Sequence, residues 1–352
     1  MADDARIRRP VIQWCQRLTL AALAVVAGWW LFSDTVRHYA GRDGKLGPPW
    51  RIRFAHFGSY QDYQLWHGVI EAFESANPDV HVRQEYVPGW YGRYNAKIRQ
   101  QILSGTLPHV VMMQLGPFTE LADHFAALGS LIDQDGSASQ LVSQLDETAV
   151  RAFSTNQLRG LPIAGGNLLI YCNPDCFDRA GIGDALPDDD WTMDEFADLA
   201  RQLTRDDDGD GRNDQFGFWL PRWVYYLPFL WSFGAEIVDE TESRWALTDA
   251  AALDALTFYR DLMTTWKVCP QPGDLPQLIE DVAFLTGKVA MCVNGPWFQP
   301  FLERTRLRDS YHVAHIPIGP AGRTTRVTWD GLCISDDLTA SERECTCWRN
   351  RR

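Results

Sequence analysis

Residues 51–87 read RIRFAHFGSYQDYQLWHGVIEAFESANPDVHVRQEYV. The stretch opens with a short apolar segment, residues 52–57, which predicts a strand. In residues 62–76 the large apolar side chains recur at helical spacing. Asn77-Pro78 ends that helix, and residues 80–86 then alternate apolar and charged side chains, as a half-buried strand does. Strand, helix and strand in this order predict a parallel α/β layer.

The same alternation continues along the chain. Further strands are predicted at residues 110–113, 160–171, 289–293, 311–316 and 325–334. Further helices are predicted from Tyr94 to near Gly105, at 118–128, at 191–203, after Asp249 and at 279–285. Thr192 and Glu195 form a capping-box pattern at the start of the third of these helices. We therefore expect an α/β protein, and 352 residues suffice for about two domains.

Composition narrows the class of protein. Hydrophobic residues make up 45% of the chain and charged residues 22%, which is typical of a globular protein. A formal net charge of −13 argues against a nucleic-acid-binding surface, which should be basic. The chain contains 15 tryptophans, and such large rings must pack or stack against something. This surplus is a first indication of a binding cleft.

The N-terminus has the pattern of an export segment. Four arginines precede an apolar run of 15 residues, 18–32. As a helix this run would be roughly 22 Å long, against a bilayer core of about 30 Å. We interpret residues 1–34 as a signal or anchor segment and residues 35–49 as a linker. An uncleaved anchor at residues 11–32 is favoured over cleavage after Ala27. The protein would then be exported to the extracytoplasmic (periplasmic) side and tethered to the inner membrane.

Four predicted strands end in a glycine-containing turn beside aromatic or polar residues. These turns are Phe57-Gly58-Ser59, Gln114-Leu115-Gly116, Asn294-Gly295-Pro296-Trp297 and Trp329-Asp330-Gly331. Ligands of open α/β sheets bind beyond the carboxyl ends of the strands. The turns therefore supply candidate ligand-binding residues.

A second candidate feature is a dense run of aromatic residues. Its members are Trp219, Trp223, Tyr225, Tyr226, Phe229, Trp231 and Phe233. They are too close in sequence to share one helical face, so we expect at least two of them to line a cavity. A sugar ring has an apolar face that stacks on a flat aromatic ring. The alternative interpretation is a tryptophan-rich patch of the core. Trp219 and Trp231 are the candidates for ligand binding.

A third feature is acidic. Asp206, Asp208 and Asp210, followed by Gly211, match the first half of an EF-hand-like calcium loop. The twelfth position of that loop would be Gly217, where a bidentate glutamate is needed. Calcium binding and an ordinary acidic turn both remain open.

Motifs for catalysis and for zinc are absent from the sequence. It contains no G-x-S-x-G elbow, phosphate loop, H-E-x-x-H or C-x-x-C motif. The eight cysteines do not form a dense disulfide framework, and those within apolar runs are expected to be buried thiols.

Several segments together carry a resemblance to a known family. They are residues 70–74 with Asn77-Pro78, 97–105 with Pro108, 161–175, 191–196, 206–218, 284–291 and 294–297. In this order and spacing they resemble extracellular solute-binding proteins of ABC importers, in the group that binds sugars and oligosaccharides. The resemblance runs from about Arg51 to Ser335.

The resemblance implies a type II periplasmic-binding-protein-like α/β fold with a ligand cleft between two lobes. The N-terminal lobe would comprise residues 50–163 and 318–335, and the C-terminal lobe residues 164–317. Hinge crossings are expected near residues 162–167 and 316–320.

The resemblance also implies roles for individual residues. Trp297 is similar to the aromatic residue that stacks on sugar in this family. Asn167, Gln114, Ser59 and Asp330 stand where the family places cleft-facing residues. The implied mechanism is lobe closure on a carbohydrate and delivery to an ABC permease, without catalysis. A membrane-tethered ligand sensor and an exported glycan-processing enzyme are the alternative functions. A polyol, a polyamine and other small solutes are the alternative ligands.

The chain departs from the family pattern in two places. His109 follows Pro108, where the family usually has an aspartate. The resemblance ends near Ser335, and residues 336–352 form an atypical tail without amphipathic period. The family normally continues with more helices, so we expect exposed apolar surface, lower stability and impaired binding.

Overall fold

The computed structural model describes residues 50–336 except residues 79, 90, 134–135, 221–222, 240, 242 and 276–278. The predicted export segment, the linker and the tail beyond Asp336 lie outside the described residues. Of the helices within the described ranges, none has both the length and the apolar character that a membrane crossing needs.

The described strands are β1 Trp50–Gly58, β2 Val80–Pro88, β3 Val110–Gln114, β4 Gly160–Asn167, β5 Leu169–Cys172, β6 Phe216–Phe218, β7 Val289–Asn294, β8 His312–Ala314 and β9 Val327–Ile334. The described α-helices are α1 Tyr60–Ala76, α2 Tyr91–Leu103, α3 Leu115–Leu121, α4 Gly129–Asp133, α5 Gly136–Ser143, α6 Glu147–Ala152, α7 Pro174–Arg179, α8 Met193–Gln202, α9 Leu227–Ser232, α10 Ala250–Thr264, α11 Glu280–Leu285 and α12 Gln299–Leu302. Short 3₁₀ helices occupy Ala122–His124, Trp223–Tyr226 and Pro296–Phe298.

The chain divides into two compact units. Within the part of the chain that the structure describes, the first contains residues 50–165 and 328–336, and the second contains residues 166–327. The backbone leaves the first unit within β4 and returns to it at the start of β9. Each unit has its own sheet and its own core.

The first unit is built on a five-stranded sheet with strand order β2-β1-β3-β9-β4. Strand β1 runs parallel to β2 and to β3, whereas β9 runs antiparallel to β3. The core contains Phe54, Phe118 and Phe153, all nearly inaccessible to solvent. His109 Nδ1 accepts a hydrogen bond of 2.9 Å from the Arg53 backbone N–H. The imidazole therefore joins β1 to the segment before β3, at the position where the family usually has a carboxylate.

The second unit has a four-stranded sheet with strand order β6-β7-β5-β8. Strands β6 and β7 are parallel, and β5 is antiparallel to both of its neighbours. Helix α8 packs on β6, and the ring of Phe196 meets that of Phe218 edge to face at 4.8 Å. The capping box predicted at Thr192 and Glu195 is confirmed, since each side chain bonds the other's backbone N–H.

Residues 318–327 belong to the second unit, whereas the sequence analysis placed them in the N-terminal lobe. The Ile318 backbone accepts a hydrogen bond from Met193 N–H and donates one to the Trp191 carbonyl, both 2.9 Å long. The Thr325 hydroxyl donates to the Leu168 carbonyl at 2.7 Å. These hydrogen bonds hold the segment against elements of the second unit as far as the start of β9.

Two predicted helices differ from the observed ones. The helix predicted at 118–128 is observed at Leu115–Leu121, as α3, followed by the 3₁₀ helix at Ala122–His124. It does not continue to residue 128 because Phe125 pairs with Ser335 in an isolated bridge. Asp249 precedes α10 as predicted, but its carboxylate makes no capping hydrogen bond. Instead it accepts two hydrogen bonds from the Arg244 guanidinium, at 2.9 and 3.1 Å.

We expect Gly217→Ala to destabilise the second unit. A Cβ on Gly217 would lie 1.9 Å from the backbone oxygen of Ala200 in α8, so β6 and α8 would have to separate. Such overpacking costs about 1–3 kcal/mol, measurable by urea unfolding. The matched control is Gly68→Ala in the middle of α1, where a Cβ would meet nothing within 4 Å. That control should stabilise the protein by about 0.5–1 kcal/mol. Equal effects of the two substitutions would contradict this account.

Candidate functional site

One edge of the first unit's sheet brings together several of the predicted site residues. Strands β1 and β3 are parallel, so their carboxyl ends, at Gly58 and Gln114, point to the same edge. Strand β9 is antiparallel to β3 and starts where β3 ends, with Asp330 opposite Gln114 and Gly331 opposite Met113. Trp329 and Asp330 therefore lie at this edge with Gln114 and the β1–α1 turn. We call this arrangement the strand-end edge.

The turn after β1 is held by local hydrogen bonds. The Ser59 hydroxyl accepts a hydrogen bond from the Asp62 N–H, and the Asp62 carboxylate accepts one from the Ser59 N–H at 2.6 Å, which forms a capping box at the start of α1. Gly58 has a positive φ of 133°, and a Cβ there would lie 2.5 Å from Asp62 Oδ2. Ser59 is thus a helix cap, and α1 begins two residues earlier than predicted.

Phe57 does not belong to the exposed part of this edge. Its side chain is only 7% exposed, and its ring lies 5.1 Å from that of Tyr94. Ligand contact by Phe57 therefore stays a prediction, which the burial of its ring weakens. The side chains of a strand alternate between its two faces, and Phe57 lies on a face that the core covers.

Trp329 packs closely on the backbone of the neighbouring strand β4. A Cβ on Gly165 would lie 2.2 Å from Cζ3 of the Trp329 ring. Only a residue without a side chain leaves room for the indole at this point. The half-buried ring is thereby fixed over β4, with part of its surface open to solvent.

The Asp330 carboxyl group is the electrostatically unusual group of the strand-end edge. Its Oδ1 atom is buried and accepts no hydrogen bond from the described residues. Burial, with a smaller contribution from the negative charge of Asp62, raises the pKa of Asp330 to about 7. Burial acts oppositely on the nearby His56 and lowers its pKa to about 4, so this imidazole is neutral at pH 7. A hydrogen-bond donor from a ligand would satisfy the Asp330 oxygen.

In the second unit, the turn after β7 positions Trp297. The Gly295 carbonyl accepts a hydrogen bond from the buried Tyr171 hydroxyl at 2.9 Å. The Asn294 side chain donates to Asp281 Oδ1 at 3.1 Å and accepts from Gly295 N–H at 3.0 Å. Burial raises the pKa of Asp281. These bonds fix the backbone from which the indole projects.

The Trp297 ring lies over two glycines. A Cβ on Gly295 would be 2.2 Å from the ring, and a Cβ on Gly166 would be 3.2 Å from it. The ring of Tyr225 is 6.3 Å away, so the structure brings one member of the predicted aromatic run to Trp297. Asn167, next to Gly166 at the end of β4, is partly exposed.

The structure does not bring Trp219 and Trp231 together. Trp219 packs beside Phe216 and Val289, whereas Trp231 packs in a separate cluster with Leu230 and α10. Both indoles are half-buried. Phe229 lies in the core, in agreement with the alternative interpretation for part of the run. Both tryptophans remain candidates, with no shared surface within the described residues.

The acidic loop lies on the surface of the second unit. Carboxylate oxygens of Asp206, Asp208 and Asp210 lie within 4.8 Å of one another, and all three residues are exposed. Asp206 already accepts hydrogen bonds from Gly209 N–H and Gly211 N–H. The twelfth loop position, Gly217, is buried in β6 and has no side chain to coordinate a cation. Calcium binding at this loop therefore stays a prediction that three carboxylates support and the missing twelfth ligand weakens.

Sequence reasoning missed several residues of these sites. Gly165 and Gly166 lie within the strand predicted at 160–171 and were not assigned to the site, although they create the space for two indoles. Asp62 and Tyr225 also went unrecognised as neighbours of Asp330 and Trp297. Ser59 lies three residues before Asp62, and this spacing could have indicated the capping box at the start of α1. No local sequence pattern indicates which aromatic ring will pack against a given glycine in the folded protein.

Comparison with known proteins assigns the family. Residues 58–339 match the family described as bacterial extracellular solute-binding protein. The match covers most of the chain, and the protein belongs to this family.

The curated relatives include proteins of Brucella abortus and Brucella suis that are described as candidate binding proteins. Each is 29% identical to this chain over 262 residues, which cover 72% of this chain and 60% of the relative. The chain thus spans about 60% of the length of these relatives.

Solved structures with the same fold include three binding proteins. An ABC substrate-binding protein of Listeria monocytogenes in complex with cycloalternan gives a TM-score of 0.74 at 22% identity, covering 86% of this chain and 76% of that one. Maltose-bound MalE3 of T. maritima gives a TM-score of 0.68 at 20% identity, covering 84% of this chain and 74% of that one. UgpB of Mycobacterium tuberculosis in complex with glycerophosphocholine gives a TM-score of 0.68 at 21% identity, covering 87% of this chain and 74% of that one. These likenesses confirm the type II periplasmic-binding-protein fold.

We expect Asp330→Asn to change how stability depends on pH. The folded-state pKa of about 7 exceeds the ordinary value of 3.8, so between these pH values the folded state binds more protons than the unfolded state. Wild-type stability is therefore lost as pH rises through this window. Relative to wild type, the variant should gain up to about 4 kcal/mol between pH 4 and pH 8.

The measurement is urea unfolding of both proteins at pH 5 and pH 8. Comparison with wild type cancels the contribution of His56, which acts in the opposite direction. Asp254→Asn, at an exposed position on α10, serves as the control and should leave the pH dependence unchanged. An Asp330→Asn variant that follows wild type at both pH values would show that this carboxyl group is not buried as described.

Proposed function

We propose that this protein captures a carbohydrate outside the cytoplasm and delivers it to the membrane subunits of an ABC importer. The observation that carries the proposal is the strand-end edge, where Trp329 and Asp330 follow one another in β9 and the buried Asp330 Oδ1 has no partner among the described residues. A sugar offers both complements, an apolar face for the ring and hydroxyl groups for the carboxyl oxygen. Membership of the solute-binding family supports the same role.

In the mechanism we propose, the second unit supplies a further set of contacts to the same ligand. Trp297 would stack on a sugar ring, and the Asn167 amide would bond to hydroxyl groups. A ligand that engages both units stabilises the closed population over the open one by its differential affinity. Permease subunits would then recognise the closed form. No covalent bond is made or broken in this cycle, so we propose a binding protein without catalytic activity.

The aromatic residues of the site and the ligands of the neighbours support the proposed ligand class. The solved neighbours were crystallised with cycloalternan, with maltose and with glycerophosphocholine. Two of these ligands are carbohydrates, and the third is a hydroxyl-bearing phosphodiester with a cationic group. We commit to a carbohydrate because the described site residues pair aromatic rings with uncharged or weakly acidic acceptors.

The proposed location is extracytoplasmic. Capture of an external solute requires export, and the solute-binding family is extracellular. We further propose that residues 11–32 tether the protein to the inner membrane.

We expect a carbohydrate to stabilise the protein in a thermal-shift screen of mono- and oligosaccharides, with glycerophosphocholine and spermidine as competing ligand classes. At 100 times its dissociation constant, a ligand that binds only the folded state adds about 2.7 kcal/mol. Trp329→Ala and Trp297→Ala should each reduce the shift, because each removes a stacking surface. Repeating the screen with calcium tests the acidic loop.

The matched control is Trp245→Ala, which removes a 69% exposed indole from a hairpin of the second unit. It should leave the ligand-induced shift unchanged. If the protein melts cooperatively and only glycerophosphocholine or spermidine raises its melting temperature, that compound would replace the carbohydrate as the proposed ligand. A melt that responds to no solute would refute binding by this chain.

A further inference from the structure

The first turn of helix α11 supplies a carboxyl group that is not among the residues assigned to ligand binding. Asp281 Oδ1 accepts a hydrogen bond of 3.1 Å from the Asn294 side-chain amide, at the end of β7. Burial raises the pKa of this carboxyl group, and the bond from Asn294 opposes that rise only in part. A carboxylate buried with so little compensation costs free energy. A residue kept at such a cost is a candidate for a functional role.

The Asn294 side chain links Asp281 to the turn that carries Trp297. Its amide nitrogen donates to Asp281, and its Oδ1 accepts from the Gly295 N–H at 3.0 Å. A backbone N–H can only donate, so the amide oxygen must face Gly295 and the amide nitrogen must face Asp281. The acceptor at position 281 therefore selects one of the two orientations of the buried amide. Without that acceptor, the amide nitrogen loses its partner and the amide is no longer held against Gly295.

Gly295 is the residue over which the indole lies. Its carbonyl accepts hydrogen bonds from the Tyr171 hydroxyl and from the Phe298 N–H, both 2.9 Å long. Together with the bond from its N–H to Asn294, these contacts anchor the peptide groups on both sides of Gly295. A Cβ on this residue would lie 2.2 Å from the Trp297 ring, so the ring packs directly on the anchored backbone. A change in the orientation of the Gly295 N–H would therefore move the surface that supports the indole.

The position of Asp281 in its helix offers a different explanation. An acidic side chain in the first turn stabilises a helix through the backbone dipole, and Glu280 is a second acidic residue in the same turn. That role does not require a hydrogen bond that crosses from α11 to β7. The two explanations also predict different results, because helix stabilisation needs the charge of residue 281, whereas orientation of Asn294 needs only an acceptor.

We propose that Asp281 is a positioning residue, which sets the orientation of the Trp297 indole through Asn294 and Gly295 and thereby sets the affinity for the ligand. Asp281 acts through these two residues and does not itself touch the ligand. The effect on affinity rests on the proposed function, in which a sugar stacks on Trp297. The effect on the indole does not, since the orientation of the ring can be measured without a ligand.

The first measurement is fluorine NMR of the full chain labelled with 5-fluorotryptophan. The Trp297 resonance is the one that Trp297→Phe removes. Asp281→Leu nearly preserves the shape of the side chain but provides no acceptor, so the Trp297 resonance should shift or broaden as the indole adopts other orientations. Asp281→Asn removes the charge and keeps an acceptor oxygen, so it should leave this resonance close to its wild-type position.

Exchanging the two side chains gives a rescue test. Asn294→Asp alone places two carboxyl groups against each other without a donor between them, and it should disturb the Trp297 resonance. The double variant Asp281→Asn/Asn294→Asp puts the donor at position 281 and leaves a carboxylate oxygen at position 294 for the Gly295 N–H. It should return the resonance towards its wild-type position.

The second measurement is the dissociation constant for maltose, cellobiose and xylobiose by isothermal titration calorimetry. For a saccharide that binds wild type, Asp281→Leu should weaken binding by up to about tenfold, given typical aromatic stacking energies. Asp281→Asn and the exchange variant should stay within about threefold of wild type. The matched control is Asp175→Leu, at the second position of the short helix α7, where the carboxylate pairs with Arg306 at 3.1 Å. It should change neither the resonance nor the affinity.

The possible failures are distinguishable. If Asp281→Leu leaves the Trp297 resonance unchanged, or if Asp281→Asn disturbs it equally, the positioning role is refuted whether or not a saccharide binds. If the resonance responds as expected but the affinity does not change, the effect of Asp281 on binding is refuted. If the resonance responds and no saccharide binds wild type, the proposed function fails while the orientation of Trp297 by Asp281 is supported. If Asp281→Leu does not melt cooperatively, Asn294→Asp and its rescue decide the question.

Discussion

The pairing of β9 with β3 is the constraint on which the first unit and its site depend. A strand that arrives some 200 residues later in the chain enters the sheet antiparallel to β3, with Asp330 opposite Gln114. This pairing places the Asp330 carboxyl group at the carboxyl ends of parallel strands, while the neighbouring strand β4 on the other side of β9 brings Gly165 to Trp329. Residues 166–327 are thus inserted between strands of one sheet, and this sheet is complete only when β9 joins it. Every proposed contact of the first unit follows from this register.

In both units, glycines and hydrogen-bonded polar groups position the tryptophan side chains. Each of the two central indoles lies against glycine, Trp329 on Gly165 and Trp297 on Gly295. Around them the polar groups are mostly bonded, as the Tyr171 hydroxyl is to Gly295. Asp330 Oδ1 and the nearby Thr328 hydroxyl in β9 are exceptions, since these buried oxygens have no partner among the residues that the structure describes. A group left in this state costs stability unless something else bonds to it, and sites of this kind are where function is to be sought.

Much of the fold could be predicted from local patterns, and most of the site could not. The βαβ alternation gave the α/β class, and the Thr192–Glu195 spacing gave the start of α8. Phe57 was assigned to the site from its place at a strand end, yet it faces Tyr94 in the core. Ser59 was assigned to the site as well, and its hydroxyl caps α1. A strand end predicts where a residue lies along the sheet, but not which way its side chain faces.

The sequence by itself determined the class of fold, the family and the order of the elements, because these depend on periodicity and on motifs that are local along the chain. It also determined which strand ends would carry tryptophan and acidic residues. Only the tertiary structure decided that Asp330 Oδ1 is buried without a partner among the described residues, and that Gly165 and Gly166 make room for indoles. These properties depend on contacts between residues distant in sequence, and the packing energy that selects such contacts is spread over the whole core.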